Sequence, residues 1–328
     1  MRRIALVALA LLAGCVSRPA PDGTVALAAR PVALDPSDPA RVAVGRLRYL
    51  GGLELRSGDK RFGGLSGLRV RGDGWALAVS DEGRWVAFPL VERDGRLVGV
   101  GRARVAPLLD ERGQPPAGKP DGDAEAIEWA ADGTAIVTFE QDHRMQVYRG
   151  VDPARPDGLS MRAARVVRSP ETRDWPANSG AEAYAAVGED ADVAIAEDPT
   201  LPGGAHDAFG QFDGNRLRFA YRPPAPGFKP TDAADLGDGR LLVLHRRFAP
   251  ADGASALVAI LDPTLIGDAD GKPLAAQEVA RLAPPLSVDN MEALAIRRDG
   301  ARTFVYLLSD NNFSKVQKTL LLKFELVR

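Results

Sequence analysis

Ala124-Glu125-Ala126-Ile127-Glu128-Trp129-Ala130-Ala131-Asp132-Gly133-Thr134-Ala135-Ile136-Val137-Thr138-Phe139-Glu140 reads as two short strands folded about an Asp-Gly turn, with carboxylates near both far ends. Asp-Gly between such runs is the strongest short-range hairpin signal. The frame returns four more times, at Asp73-Gly74, Glu189-Asp190 (Asp190 in the glycine slot), Asp238-Gly239 and Asp299-Gly300. Eight residues before the turn glycine lie Ser66, Glu125, Glu182, Thr231 and Glu292. Seven after it lie Asp81, Glu140, Glu197 and Arg246, and the last unit runs three residues longer to reach Asp310. This recurrence is an internal repeat, and it decides the fold.

Residues 75–79, 192–196, 241–244 and 304–308 match the second strand of the hairpin, and more strand-like sequence follows, as at 85–90, 97–105, 145–149 and 161–167. Long helical periodicity is absent. Four-stranded antiparallel units recurring every ~50–60 residues are the signature of an all-β propeller. Five blades can be counted. The longer connections of the third and fourth units leave a sixth, degenerate blade open. Residues 47–55 and 319–327 are expected to pair in one blade and close the ring.

Met1-Arg2-Arg3 ahead of the apolar run 4–13 has the form of an export signal, too short to span a bilayer. Leu12-Ala13-Gly14-Cys15 resembles a bacterial lipobox, which makes 1–14 a signal peptide and Cys15 the lipidated residue of an exported, membrane-anchored lipoprotein. Val16 after the cysteine points to the outer membrane on its periplasmic side. Residues 15–45, with Pro19, Pro21, Pro31, Pro36 and Pro39, read as a flexible tether, leaving 46–328 for the propeller domain.

Cys15 is the sole cysteine, which excludes a disulfide, a thiol nucleophile or a cysteine-based metal site in the mature chain. Net charge is −2 with both signs interspersed, so no basic footprint for nucleic acid exists. A monomer is expected. Gly64-Leu65-Ser66-Gly67 has Leu68 where a nucleophile elbow needs glycine, and no phosphate-cradling Gly-Lys-Ser/Thr loop occurs.

Counting from the turn puts Glu125 across from Glu140, Glu182 across from Glu197 and Ser66 across from Asp81. Directly opposed residues project to one side of a sheet, and the first strand of every blade borders the central channel. Asp81, Glu125, Glu140, Glu182, Glu197, Glu292 and Asp310 are therefore expected around one mouth, with Asp123 and Asp289 just upstream. Oxygen-only ligands of this kind suit Ca²⁺. The competing reading is structural: the carboxylates pair with Arg84, Arg144, Arg246 and Lys315 or accept backbone N–H bonds. Asp73, Asp132, Asp238 and Asp299 sit where turn geometry asks for them. His143, His206 and His245 are scattered and read as partly exposed polar residues, although His245, next to Arg246, is also a candidate for acid/base work.

Phe62-Gly63-Gly64-Leu65-Ser66-Gly67, the strand ending in Ser80-Asp81, Asp123-Ala124-Glu125-Ala126 and Asn178-Ser179-Gly180-Ala181-Glu182 form a series of motifs. Asp289-Asn290-Met291-Glu292-Ala293 and Ser309-Asp310-Asn311-Asn312-Phe313, with Gln317-Lys318-Thr319 after it, complete that series. Together they resemble the bacterial family called esterase-like activity of phytase, over about residues 45–328. The resemblance implies a phytase-like propeller whose acidic residues form the active centre. In many members the fourth unit ends in a glutamate where this chain has His245-Arg246-Arg247, a departure that weakens a metal site and favours an anionic group.

Two readings of function follow. The first is a Ca²⁺-assisted hydrolase of phosphate esters or related esters. Glu125, Glu182, Glu292, His245 and Arg246 would be catalytic, and Arg84, Arg144, Arg246 and Lys315 would meet a small anionic substrate. The second is a non-catalytic envelope propeller that binds a ligand or protein partner, with any Ca²⁺ structural.

Overall fold

The computed structural model describes residues 23–188, 191–212, 214–266 and 271–327. The signal segment, Cys15 and the Glu189-Asp190 turn lie outside the described residues. Five antiparallel sheets form a five-bladed β-propeller. Blade 1 is built on the inner strand Leu65–Val70, blade 2 on Ala124–Trp129, blade 3 on Ala181–Val187, blade 4 on Lys229–Asp235 and blade 5 on Met291–Asp299. Each inner strand touches the next around the ring, and the fifth touches the first. The count settles at five; no sixth blade occurs among the described residues. Helix is confined to short turns such as Lys119–Gly122.

Glycine is needed at the hairpin turns for backbone conformation. Gly74 and Gly239 hold φ of 85° and 87°, with open space where a side chain would stand. The aspartates beside them are turn formers as expected. Asp132 Oδ1 accepts the Thr134 N–H at 2.8 Å, and Asp238 Oδ1 accepts that of Arg240 at 3.2 Å.

The ring closes as expected. Thr319–Leu326 pairs with Leu47–Arg56 in blade 5, Thr319 facing Leu55 and Leu326 facing Leu47. The expected tether needs correction from residue 24 onward. Ala28–Pro31 adds a further strand to blade 5 beside Leu47–Arg56, and Thr24–Val25 lines the outer strand of blade 1 at Ala103–Pro107. One segment thus straps the two blades that meet at the seam. Its prolines are compatible with this because Pro31 sits at a strand end, on a sheet edge.

The core is divided into wedges. Five buried apolar clusters occur among the described residues, one between each pair of neighbouring blades. The axis itself is closed by a charge. Arg69, on the inner strand of blade 1 and 7% exposed, donates to the carbonyls of Leu68 (2.6 Å), Tyr184 (3.1 Å), Ala233 (2.7 Å) and Leu294 (2.9 Å). It also donates to Glu128 Oε1 at 2.8 Å and to both oxygens of Asp232 at 3.3 Å. These acceptors come from all five inner strands. A guanidinium has five N–H donors in a fixed plane, which lets one side chain satisfy acceptors converging on an axis.

Candidate functional site

The hairpin register differs from simple counting in a way that makes the site. In blade 2, Ala124 pairs with Phe139 and Ile127 with Val137, so Glu125 and Ala126 together face Thr138. Blade 3 skips Glu182 between Ala181 and Ala183, blade 5 skips Glu292, blade 1 skips Ser66 and blade 4 skips Thr231. Every residue eight before the turn therefore belongs to a β-bulge. Glu125 is not across from Glu140, nor Glu182 from Glu197, nor Ser66 from Asp81. The later residue bonds instead to the residue two upstream of the bulge. Glu140 N–H donates to Asp123 O at 2.9 Å, Asp81 N–H to Gly64 O at 2.8 Å, and Asp310 N–H to Asn290 O at 2.9 Å. A bulge leaves one residue outside the ladder and re-aims its side chain, as happens next to many active sites. Repulsion between directly opposed glutamates is thereby avoided.

The carboxylates nevertheless converge. A cavity of about 320 Å³ at one mouth of the channel is lined by Asp81, Asp123, Glu125, Glu140, Glu182, Glu197, Glu292 and Asp310, with Ser66, Asn312 and the cations Lys119 and Arg246. Arg246 donates to Glu197 Oε1 at 2.7 Å and to Asn290 Oδ1 at 3.1 Å, and its Nε lies 3.2 Å from Glu292 Oε2. Asn290 in turn donates to Glu292 Oε1 at 2.7 Å. On the opposite side Lys119 Nζ lies 2.6 Å from Asp81 Oδ2 and 3.2 Å from Asp123 Oδ1. Gln141 bridges Asp123 and Asn178 at 3.1 and 2.7 Å. Glu140 accepts the Gly180 N–H at 2.8 Å. Lys119, Gln141 and Asn178 were not among the candidates. Lys119 and Asn178 lie on connections between blades and Gln141 in the turn that follows the second strand of blade 2, all outside the positions that the hairpin frame picked out.

Some expected members are elsewhere. Asp289 accepts from Asn290 N–H and Lys318 N–H, which ties a loop together. Thr231 is fully buried and donates to Met291 O. Arg84 pairs with Glu82, while Arg144 packs over Phe139 and pairs with Asp142. Lys315 is exposed and does not line the cavity. His245 is corrected most clearly. It is fully buried between blades 3 and 4, its Nε2 2.6 Å from the Tyr221 hydroxyl and its Nδ1 3.1 Å from Leu257 O. Burial lowers its pKa to about 3, so it is a neutral core residue. Successive strand residues point to opposite faces, so placing Arg246 in the mouth turns His245 away.

The family model for phytase-like proteins, described as esterase-like activity of phytase, matches residues 60–313. The chain belongs to this family. The matched segment contains every residue that lines the acidic cavity. A search of curated proteins finds no match. Among solved structures, a thermostable family-43 glycoside hydrolase is similar at 10% identity and TM-score 0.48, over 80% of this chain and 89% of that one. A protein of unknown function from Dyadobacter fermentans gives 15% and 0.43 over 94% and 92%, and a putative gluconolactonase 13% and 0.41 over 92% and 94%. With TM-scores below 0.5, these likenesses transfer no activity.

In this phytase-like protein the acidic cavity is electrostatically unfinished. Eight carboxyl groups line it against two cations, Lys119 and Arg246. Burial pushes Glu292 up to about 8, with Arg246 opposing and Asp310 and Glu197 adding to the rise. Burial also pushes Asp310 to about 6, against the Asn312 N–H that stabilises its charge. Glu125 and Glu182 rise well above the usual carboxylate range through burial first and like-charged neighbours second. An acid whose pKa is raised on folding holds its proton in the native state after the unfolded chain has released it. Stability is then greatest below the unfolded pKa near ~4 and falls as pH rises towards the folded values. In the presence of chelator, melting should therefore be lower at pH 8 than at pH 5. A melting temperature that rises over this interval would show that the carboxyls are ionised and already compensated.

The residues fit a hard cation. Asp123, Glu125 and Glu140 each offer a carboxylate oxygen, all within 4.8 Å of one another. Asp81 Oδ1 is buried and accepts no hydrogen bond, and the buried Asp123 Oδ1 meets only Lys119 Nζ, at 3.2 Å. An oxygen-only donor set of this kind suits Ca²⁺ or Mg²⁺ rather than a softer ion. Of the seven carboxylates expected as ligands, Glu125 and Glu140 remain in this group, and Asp123 joins them. Glu182 lies outside the group, beside Glu140; Glu197 and Glu292 are engaged by Arg246, Asp81 by Lys119, and Asp310 by the Asn312 N–H at 2.8 Å.

Proposed function

We propose that this phytase-like propeller is a Ca²⁺-assisted hydrolase of phosphate esters or related esters, working in the acidic cavity at the channel mouth. The observation that carries the reading is the excess of buried carboxyl groups over cations around three oxygens spaced for one ion. Asp123, Glu125 and Glu140 would hold the cation. When bound, Ca²⁺ supplies concentrated positive charge that polarises an ester oxygen and makes water more acidic. Lys119 and Arg246 present N–H donors to an anionic ester from opposite sides, and both are fixed by carboxylates rather than free to swing. Arg69 closes the channel below, so the cavity opens to one side only and excludes through-flow of water. Glu292, pushed up to about 8, and Glu182 are placed to give or take a proton there.

We also infer that the protein is a monomer exported and anchored through a lipid on Cys15, on the periplasmic side of the outer membrane. Support comes from the basic start Met1-Arg2-Arg3 and the Leu12-Ala13-Gly14-Cys15 junction. Labelled palmitate should enter the protein in cells and be lost in Cys15→Ser.

The test of catalysis is turnover of p-nitrophenyl phosphate and p-nitrophenyl acetate by lipid-free protein. Hydrolysis of one of them, abolished by chelation and restored by Ca²⁺, is the expected result. Ca²⁺ that raises the melting temperature without turnover of either ester would leave a binding protein with a structural ion.

A further inference from the structure

A second cavity lies beside the acidic one and differs from it in chemistry. Its volume is about 400 Å³, within the range of small-molecule sites. Pro199 and the run Pro223-Pro224-Ala225-Pro226-Gly227 form its walls, with Phe228 behind them. Prolines fix their own backbone, so such walls are preformed and lose little freedom when a ligand enters. Three polar groups reach this apolar space: His206, Arg222 and Lys229.

Each of the three has a defined state. His206 is buried, and its Nδ1 lies 3.1 Å from Ala196 O, a contact that requires Nδ1 to be the donor. Burial lowers its pKa and so favours the neutral ring, in which Nε2 is the acceptor edge. Arg222 is exposed at the rim and donates through one nitrogen to Gly203 O at 3.2 Å, leaving most of its fork for another acceptor. Lys229 Nζ is held by Asp198 at 2.5 Å and lies 3.5 Å from Glu197, which lines the acidic cavity. The ion-paired Lys229 therefore stands between the two cavities. Carboxylates on one side of that divide and arginine on the other make the second cavity the place for negative charge.

We propose that this cavity is a binding site for a small amphiphilic anion, with an apolar body between the proline walls and a negative head at Arg222. The site does not depend on the cation or on hydrolysis. The probe is octanoate, titrated calorimetrically into chelator-treated protein, with octylammonium as the charge-reversed control. Saturable one-to-one binding of octanoate, at least tenfold weaker for octylammonium, is the expected result. Arg222→Glu should weaken octanoate at least tenfold, and Ala225→Trp, which fills the space, should abolish binding. Arg222 is exposed, so its variant reports on the site even if the tryptophan disturbs the fold. Absent binding, equal binding of both probes, or octanoate binding unchanged in Arg222→Glu would overturn the proposal. Ester turnover is untouched by any of these outcomes, so the hydrolase reading stands or falls separately.

Discussion

Arg69→Met is expected to lower the melting temperature by roughly 10 °C. The residue holds the axis together. Its guanidinium bonds acceptors from all five inner strands, and Asp232 beside it is fully buried. Removing one partner of a buried ion pair leaves the other charge uncompensated, at a cost of about 3–5 kcal/mol. Four carbonyls lose a donor at the same time. At ~2–4 °C per kcal/mol for a domain of this size, the shift follows. Asp232 still accepts from the Ala233 and Leu294 N–H groups at 2.8 and 2.7 Å. The double variant Arg69→Met/Asp232→Asn removes the stranded charge and should recover part of the loss. Thermal melting of the three proteins decides the matter. Equal melting of wild type and Arg69→Met would mean that the apolar wedges alone keep the ring closed.

Nothing in the sequence frame announced Arg69. It lies between Leu68 and Val70 in a fully buried strand, and only ring closure brings the acceptors of the other four inner strands to it. The hairpins, by contrast, were readable because their determinants are local: an Asp-Gly turn, two short apolar runs and a fixed spacing. Seam closure by residues 47–55 and 319–327 was also readable, since a propeller must pair its ends. The bulges were not. A bulge changes which residues face each other without changing the spacing in sequence, so counting from the turn gave the right mouth and the wrong partners. His245 was misplaced for a related reason: adjacency to Arg246 in sequence means opposite faces in a strand. The early strands at 24–31 were hidden by proline-rich composition, which describes a tether and a sheet edge equally well.

The arginine at the fourth position of the repeat separates two ways the mouth can be balanced. Arg246 neutralises Glu197 and Glu292, and Lys119 neutralises Asp81, but Glu125, Glu140 and Glu182 face one another without a cation among them. A cluster kept for stability would place its positive charges between its negative ones. Here the middle is left open and the cations sit at the edges, an arrangement expected where charge is supplied from outside.

Glu125→Gln is expected to reduce ester turnover by at least ~100-fold while raising the melting temperature of chelated protein by a few degrees. The two changes have one cause. Glu125 forms no ion pair among the described residues; burial first, then Glu140, Asp123 and Glu292, work against its ionised form, and only Lys119 favours it. Glutamine keeps the shape and removes the repulsion, which relieves strain in the metal-free state. The same substitution replaces one of three carboxylates spaced for a cation with a neutral amide, a weaker ligand for it. The stabilisation by added Ca²⁺, about 2.7 kcal/mol when the ion is at 100 times its dissociation constant, should then be largely lost. Function and stability are opposed at this residue, as is common where a site holds like charges together for a task. A structural role predicts the reverse sign: if Glu125 served the fold, its glutamine variant would melt lower in chelator and keep its response to Ca²⁺. Melting curves with and without the ion, read beside turnover, separate these cases because only a carboxylate that binds the ion moves the two readouts in opposite directions.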